Sequence, residues 1–182
     1  MKNACPQCGA GAVRIDPLFI TPSMCKEGVA QTYKGQILVS QRIYDRLSAL
    51  GVNGLRQPIS KPTREPISFW NLAPTATLPA WSRQSQGFCT SESAPPCSEC
   101  RRDGFFNVPN GTLNLVYGHS PTRLFCEHDV LATWEHFGNS RLRSPFEKSI
   151  FAAQRLIVSD RVKVALENER GVKFIPVSSN QT

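Results

Sequence analysis

Apolar residues in this chain come in short runs with a repeating grammar. Ile37-Leu38-Val39 is a compact apolar run and predicts a short buried strand. Ser40 follows it in a position suited to a helix N-cap, where a hydroxyl can accept a bond from an orphan N–H. Ile43, Leu47 and Leu50 then fall at i, i+4 and i+7, which predicts a helix over 41–50 with one apolar face. Gly51 is placed to close it, because glycine adopts the left-handed C′ conformation without penalty. The same grammar returns near the end. Leu156-Ile157-Val158 predicts a strand, Ser159 a cap, and Val162, Ala165 and Leu166 the apolar face of a helix over 160–169. Gly171 ends that helix, and Val172-Lys173-Phe174-Ile175 predicts a final strand. The first series closes on Pro58-Ile59-Ser60 and the second on Pro176-Val177-Ser178. The match reads as two diverged halves. The alternative is chance likeness, since strand–serine–helix units are common.

The remaining elements are predicted more locally. Ala12-Val13-Arg14-Ile15 is a strand candidate. Residues 105–108 and 113–117 are two more, and the intervening Pro109-Asn110-Gly111 has hairpin-turn chemistry. Residues 129–137 predict a short helix with Val130, Trp134 and Phe137 on one face. Ser144-Pro145-Phe146-Glu147 is a capping box with proline at the first helical position, and Ile150, Phe151 and Gln154 continue that helix. Residues 58–96 hold seven of the chain's 14 prolines, which predicts an extended, loop-rich connection. Phe69, Trp70, Leu72, Leu78 and Trp81 are expected to pack down there as anchors, or else to form an exposed contact surface. Residues 178–182 are expected to fray. The pattern gives an α+β fold of two strand–helix–strand halves. Its expected organisation is 1–60, a proline-rich connection 61–96, and 97–182, within one compact unit.

Composition narrows the class. The 182 residues are 40% hydrophobic, enough for a packed core. No run of about 20 apolar residues exists to span a membrane. The N-terminal residues carry no apolar stretch of the kind a secretory signal needs, so a cytoplasmic protein is expected. The net charge of +7 points to an acidic partner, either nucleic acid or an acidic protein surface. The basic residues are scattered, however, with Arg101-Arg102 and Arg141-x-Arg143 the closest clusters, so a solvated basic surface is the plainer reading.

Seven cysteines in a reducing compartment are metal ligands or redox groups before they are disulfides. Cys5-Pro6-Gln7-Cys8-Gly9 and Cys97-Ser98-Glu99-Cys100 each supply two thiolates from one tight turn. Together they complete the tetrahedral set that a structural Zn²⁺ requires. Such a site staples the N-terminus to the middle of the chain. A thioredoxin-like redox pair and a plain thiol pair are the competing readings, the first weakened because Cys5 lies too near the N-terminus to follow a βαβ strand. Cys25, Cys89 and Cys126 have no ligand-like spacing, and Cys126-Glu127-His128 is a weak nucleophile signal. A closed four-cysteine site leaves no open coordination position for catalysis. No phosphate loop, Gly-x-Ser-x-Gly elbow or His-Glu-x-x-His motif is present, so no enzyme is expected.

These motifs resemble the bacterial double-CXXCG motif proteins, a group partly assigned as immunity proteins to contact-delivered toxins. The likeness rests on both cysteine motifs and on two closing segments. These are Leu156-Ile157-Val158-Ser159-Asp160-Arg161-Val162 and Gly171-Val172-Lys173-Phe174-Ile175-Pro176-Val177. Arg101 departs from the pattern, standing where the second motif has glycine. The resemblance implies Cys5, Cys8, Cys97 and Cys100 as zinc ligands, and a cognate protein toxin bound and occluded one to one. A +7 chain further implies a toxin with an acidic face, or one that is not a nuclease. The alternative is a nucleic-acid-binding zinc protein with a regulatory role. Its support is the charge, Arg101-Arg102 and nearby Phe105-Phe106.

Overall fold

The computed structural model describes residues 17–21, 28–32, 35–90, 98–99, 107–118, 122–137 and 153–179. The four motif cysteines, Cys25, the strand expected at 12–15, Phe105-Phe106 and the capping box at 144–147 lie outside them. The described elements are α+β. In chain order they are β1 (Phe19–Ile20), β2 (Val29–Gln31), β3 (Ile37–Ser40), α1 (Gln41–Ala49), β4 (Leu55–Arg56), β5 (Ile59–Ser60), β6 (Phe69–Leu72), β7 (Ala76–Thr77) and β8 (Gln86–Thr90). They continue with β9 (Asn107–Tyr117), α2 (Thr122–Glu127), β10 (Val130–Phe137), β11 (Ala153–Val158), α3 (Asp160–Leu166) and β12 (Val177–Ser179). One sheet has the order β2-β3-β6-β4. A second runs β11-β10-β9-β12, with β7 also on β10 and β8 also on β9. β1 and β5 form a separate parallel pair.

The two strand–helix units match in their hydrogen bonding as well as in their sequence. Val29, Ala30 and Gln31 face Val39, Leu38 and Ile37 in one antiparallel ladder; Val130, Leu131 and Ala132 face Val158, Ile157 and Leu156 in the other. The Ser40 N–H donates to the Gly28 carbonyl at 2.9 Å, and the Ser159 N–H to the Asp129 carbonyl at 3.0 Å. The cap residues share one extended conformation, φ −68° ψ 165° at Ser40 and φ −68° ψ 163° at Ser159. Each closing strand pairs in parallel with a strand of its own unit: Ile59-Ser60 with Phe19-Ile20, and Val177-Ser178 with Leu115-Val116.

One core joins the units. Val39, Ile43, Leu47, Val162, Ala165 and Leu166 are all buried in it, so the two helices close on each other through matching positions. The polar contacts across this joint are reciprocal, as in an isologous pair where residue i meets j and j meets i. Arg42 of α1 donates to the Glu169 carboxylate, and its counterpart Arg161 of α3 donates to the Leu50 carbonyl at 3.2 Å. A second core gathers Leu78, Leu115, Tyr117, Leu131, Phe137 and Ile157.

Several local expectations are corrected. Residues 130–137 form a strand. Val130, Leu131, Ala132 and Thr133 are buried in succession because β10 is covered on both faces, with Val130 in the first core and Leu131 in the second, and such a strand shows no alternation. The expected hairpin at Pro109-Asn110-Gly111 is absent: β9 runs straight through it, with Pro109 opposite Phe88 on β8. Proline is tolerated in a ladder where its missing N–H is not required. Gln154, read as helical, lies in β11. Residues 172–176 belong to no ladder among the described residues, and the last strand starts at Val177, so Ser178 and Ser179 are paired. Leu50 is 42% exposed and stands off the helix face that Ile43 and Leu47 bury. Neither serine hydroxyl caps its helix: Ser40 Oγ is buried without a partner among the described residues, and Ser159 Oγ turns to Asp129. Of the aromatic and aliphatic anchors, Leu72 and Leu78 are core residues, and Trp70 stacks on Tyr44 with ring centroids 3.6 Å apart.

Candidate functional site

Three places hold the chemistry of the described residues. The first is a buried polar joint at the start of β10. Asp129 is 1% exposed. Its Oδ1 accepts Ser159 Oγ at 2.6 Å and Arg161 at 2.9 Å; its Oδ2 accepts the Asn53 N–H at 3.0 Å. Asn53 Oδ1 in turn accepts the Asp129 N–H at 3.2 Å. A carboxylate saturated this way has no face left for a substrate, and its work is to lock α1, β10 and α3 together. Nearby, Thr75 Oγ1 lies 2.9 Å from His128 Nδ1 and 3.1 Å from the Val130 carbonyl. This occupies the histidine of the Cys126-Glu127-His128 motif, while Cys126 is exposed with a free thiol. No cluster of three or more metal-ligating side chains occurs among the described residues.

The second place is Tyr117. Burial, reinforced by the nearby Glu135 carboxylate, raises its phenol above the usual value of 10.0. A phenol held protonated cannot serve as a base at neutral pH, and its place in the second core is structural.

The third is a groove of about 1490 Å³ between the two sheets. Its walls are residues 29–32 at the edge of β2, residues 154–159 along β11, and residues 172–177. Ile37, Leu72, Leu115 and Phe137 contribute an apolar lining. Arg155, Lys163, Arg170 and Lys173 are exposed along it, against one carboxylate in the described lining, Asp160. Arg155 also lies over the Phe137 ring, 5.6 Å from its centroid. The volume exceeds the roughly 300–1,000 Å³ of a small-molecule pocket. The apolar floor and basic walls suit a piece of protein chain bearing acidic side chains.

Sequence reasoning did not single out this groove. Its four cations all fall within residues 155–173, but on β11, on α3 and on the segment after it, and the groove they line is completed only by β2 and the return of residues 172–177 past β11. The duplicated grammar, read as two equivalent halves, was the one available signal. The expected ligands Cys5, Cys8, Cys97 and Cys100 lie outside the described residues. Comparisons of the chain with protein-family models, with curated proteins and with solved structures return no match.

Proposed function

We propose that this protein is a non-catalytic, cytoplasmic immunity protein of the double-CXXCG type, which binds a cognate bacterial toxin one to one and occludes it. The groove carries this reading: it is larger than a metabolite needs, walled by strand edges, and lined among the described residues by four cations against one acid. The sequence motifs point the same way. No helix among the described residues is long and apolar enough to cross a membrane. On this reading the two units are diverged halves of one ancestral unit, supported by their common ladder register and reciprocal helix contacts.

In this proposal Cys5, Cys8, Cys97 and Cys100 hold one structural Zn²⁺. Four thiolates from two tight turns are the donor set that a closed tetrahedral site needs. The metal would tie the segment that precedes β1 to the segment that precedes β9, two strands that occupy corresponding places in their units. Its contribution is to stability alone.

A tagged pull-down from the native cell, run at moderate and at high salt with mass spectrometry and an absorbance ratio, tests the function. The expected result is one stoichiometric protein that survives high salt, together with one zinc per chain. Recovery of nucleic acid that washes off steeply with salt overturns the reading in favour of a nucleic-acid-binding zinc protein.

A further inference from the structure

The course of residues 69–78 supplies a template for what the groove receives. β6 fills the slot between β3 and β4, antiparallel to both, with Leu38 facing Asn71 and Val39 facing Trp70. The chain then crosses to the outer edge of β10. There the Thr75 N–H donates to the Val130 carbonyl at 2.9 Å and the Leu78 N–H to the Ala132 carbonyl at 2.8 Å.

Matched ladders give each wall of this trough a counterpart. β3 corresponds to β11, and the outer edge of β10 corresponds to the outer edge of β2. Residues 172–176, between α3 and the closing strand, take the place in sequence that β4 takes in the first unit. These three counterparts are the walls of the groove. On β11, the Ser159 N–H and the Arg155 N–H both turn inward, to the Asp129 carbonyl and to Thr133 Oγ1. Alternation along an antiparallel ladder therefore turns the backbone groups of Leu156 and Val158 outward, into the groove. No described strand pairs with them.

The side chains distinguish the second trough from the first. In the first, Trp70 stacks on Tyr44 and donates from Nε1 to Gln41 Oε1 at 3.0 Å. The matching helix positions on α3 are Lys163 and Asp160, and both line the groove, where Asp160 is the single described carboxylate against four cations. An incoming strand thus meets an ammonium where β6 met an aromatic ring.

We propose that the groove is a strand-addition site. It receives an extended segment of the partner protein antiparallel to β11, in the register of β6 on β3, with an acidic residue where β6 carries Trp70. Backbone pairing with Leu156 and Val158 supplies affinity, and the Lys163 ammonium selects the side chain. This rests on the protein-binding reading above and specifies its mode.

The probe is a synthetic peptide copying residues 69–77 with glutamate in place of tryptophan at its second position, added to the full chain. Saturating peptide is expected to slow amide exchange at Leu156 and Val158 by about tenfold or more, and to leave Val39 unchanged. The same peptide with lysine at the second position binds more weakly, and Lys163→Glu, on the exposed face of α3, reverses that preference. A copy N-methylated at alternate residues, which cannot pair, gives no protection. Unchanged exchange at Leu156 and Val158, protection confined to other strands, or a preference indifferent to Lys163→Glu overturns the proposal. So does concentration-dependent protection without peptide, which marks a second copy as the occupant. The pull-down fails or succeeds separately. A captured toxin that leaves Leu156 and Val158 unprotected sinks strand addition alone, whereas peptide binding with no captured protein sinks the immunity reading alone.

Discussion

Asp129 shows how one residue fixes several elements at once. Its carboxylate is almost wholly buried and answers Ser159, Arg161 and the Asn53 backbone together. Asp129→Asn keeps the shape but turns an amide toward donors that need an acceptor. A hydrogen bond to a charged group is worth about 1.5–3 kcal/mol. Arg161 is half-exposed, which discounts its share. Unfolding by urea is therefore expected to show a loss of about 2–4 kcal/mol for Asp129→Asn. A change under about 0.5 kcal/mol, the size of an ordinary surface substitution, would contradict the network's role. Gly54 makes a second case. It sits at φ +85°, and a Cβ there would stand 2.6 Å from the Ala73 carbonyl oxygen. That carbonyl belongs to the crossing between β6 and β7, whose Ala73 N–H donates to the Gly54 carbonyl at 2.7 Å, and the Val130 side chain would stand 3.3 Å from the same Cβ. Gly54→Ala is expected to cost about 2–4 kcal/mol, read from the same urea midpoint. The sequence marks Ser159 as important but assigns it the wrong partner, because a hydroxyl at an N-cap is free to turn to any better acceptor that tertiary packing brings near.

At the scale of elements, the joint between α1 and α3 is both apolar and charged. Glu169, in the turn just after α3, receives Arg42 and Arg46 from α1. The Arg42 hydrogen bond, opposed by burial and aided by Arg46, holds its carboxyl below the usual 4.5. A group whose folded pKa is depressed stabilises the fold above its unfolded value and stops doing so as pH falls through its folded one. Stability is thus expected to decline as pH drops below about 4.5, and Glu169→Gln to flatten that limb while lowering the plateau at neutral pH. Equal acid limbs in the two proteins would refute the assignment. The apolar half is tested by Leu47→Ala and Leu166→Ala, each expected to cost about 2–5 kcal/mol. Both residues line one core, so the double variant should depart from additivity by about 0.5–3 kcal/mol. Additive losses, or two separate unfolding transitions, would show that the units do not share a core. Both helices were legible in the sequence, since their apolar residues recur at helical spacing beside a serine and a glycine. β10 was not: its buried run Val130-Leu131-Ala132-Thr133 has no period of its own, and partners on both edges decided that it is a strand.

Over the whole molecule, the proposed zinc links the beginning of the chain to its middle. Closing so long a loop removes entropy from the unfolded state, and a metal that binds only the folded chain adds its binding free energy to stability. Chelation is expected to lower the urea midpoint of the whole protein in a single transition, and Cys100→Ser to reproduce that loss without chelator. A protein whose midpoint ignores both would have no structural metal. The groove belongs to this scale too, since its walls come from β2, β11 and residues 172–177.

The sequence alone determined the two strand–serine–helix units, their likeness to each other and the spacing of four cysteines as two Cys-x-x-Cys motifs. All of these are written in contiguous residues, where spacing along the chain equals spacing in space. The tertiary structure decided how the units face each other, which strands lie between two partners and which have a partner on one edge alone among the described residues. It also set four cations of residues 155–173 along an apolar slot whose other walls come from distant strands. Edges and register arise from residues far apart in the chain, and no local pattern records which of them will meet.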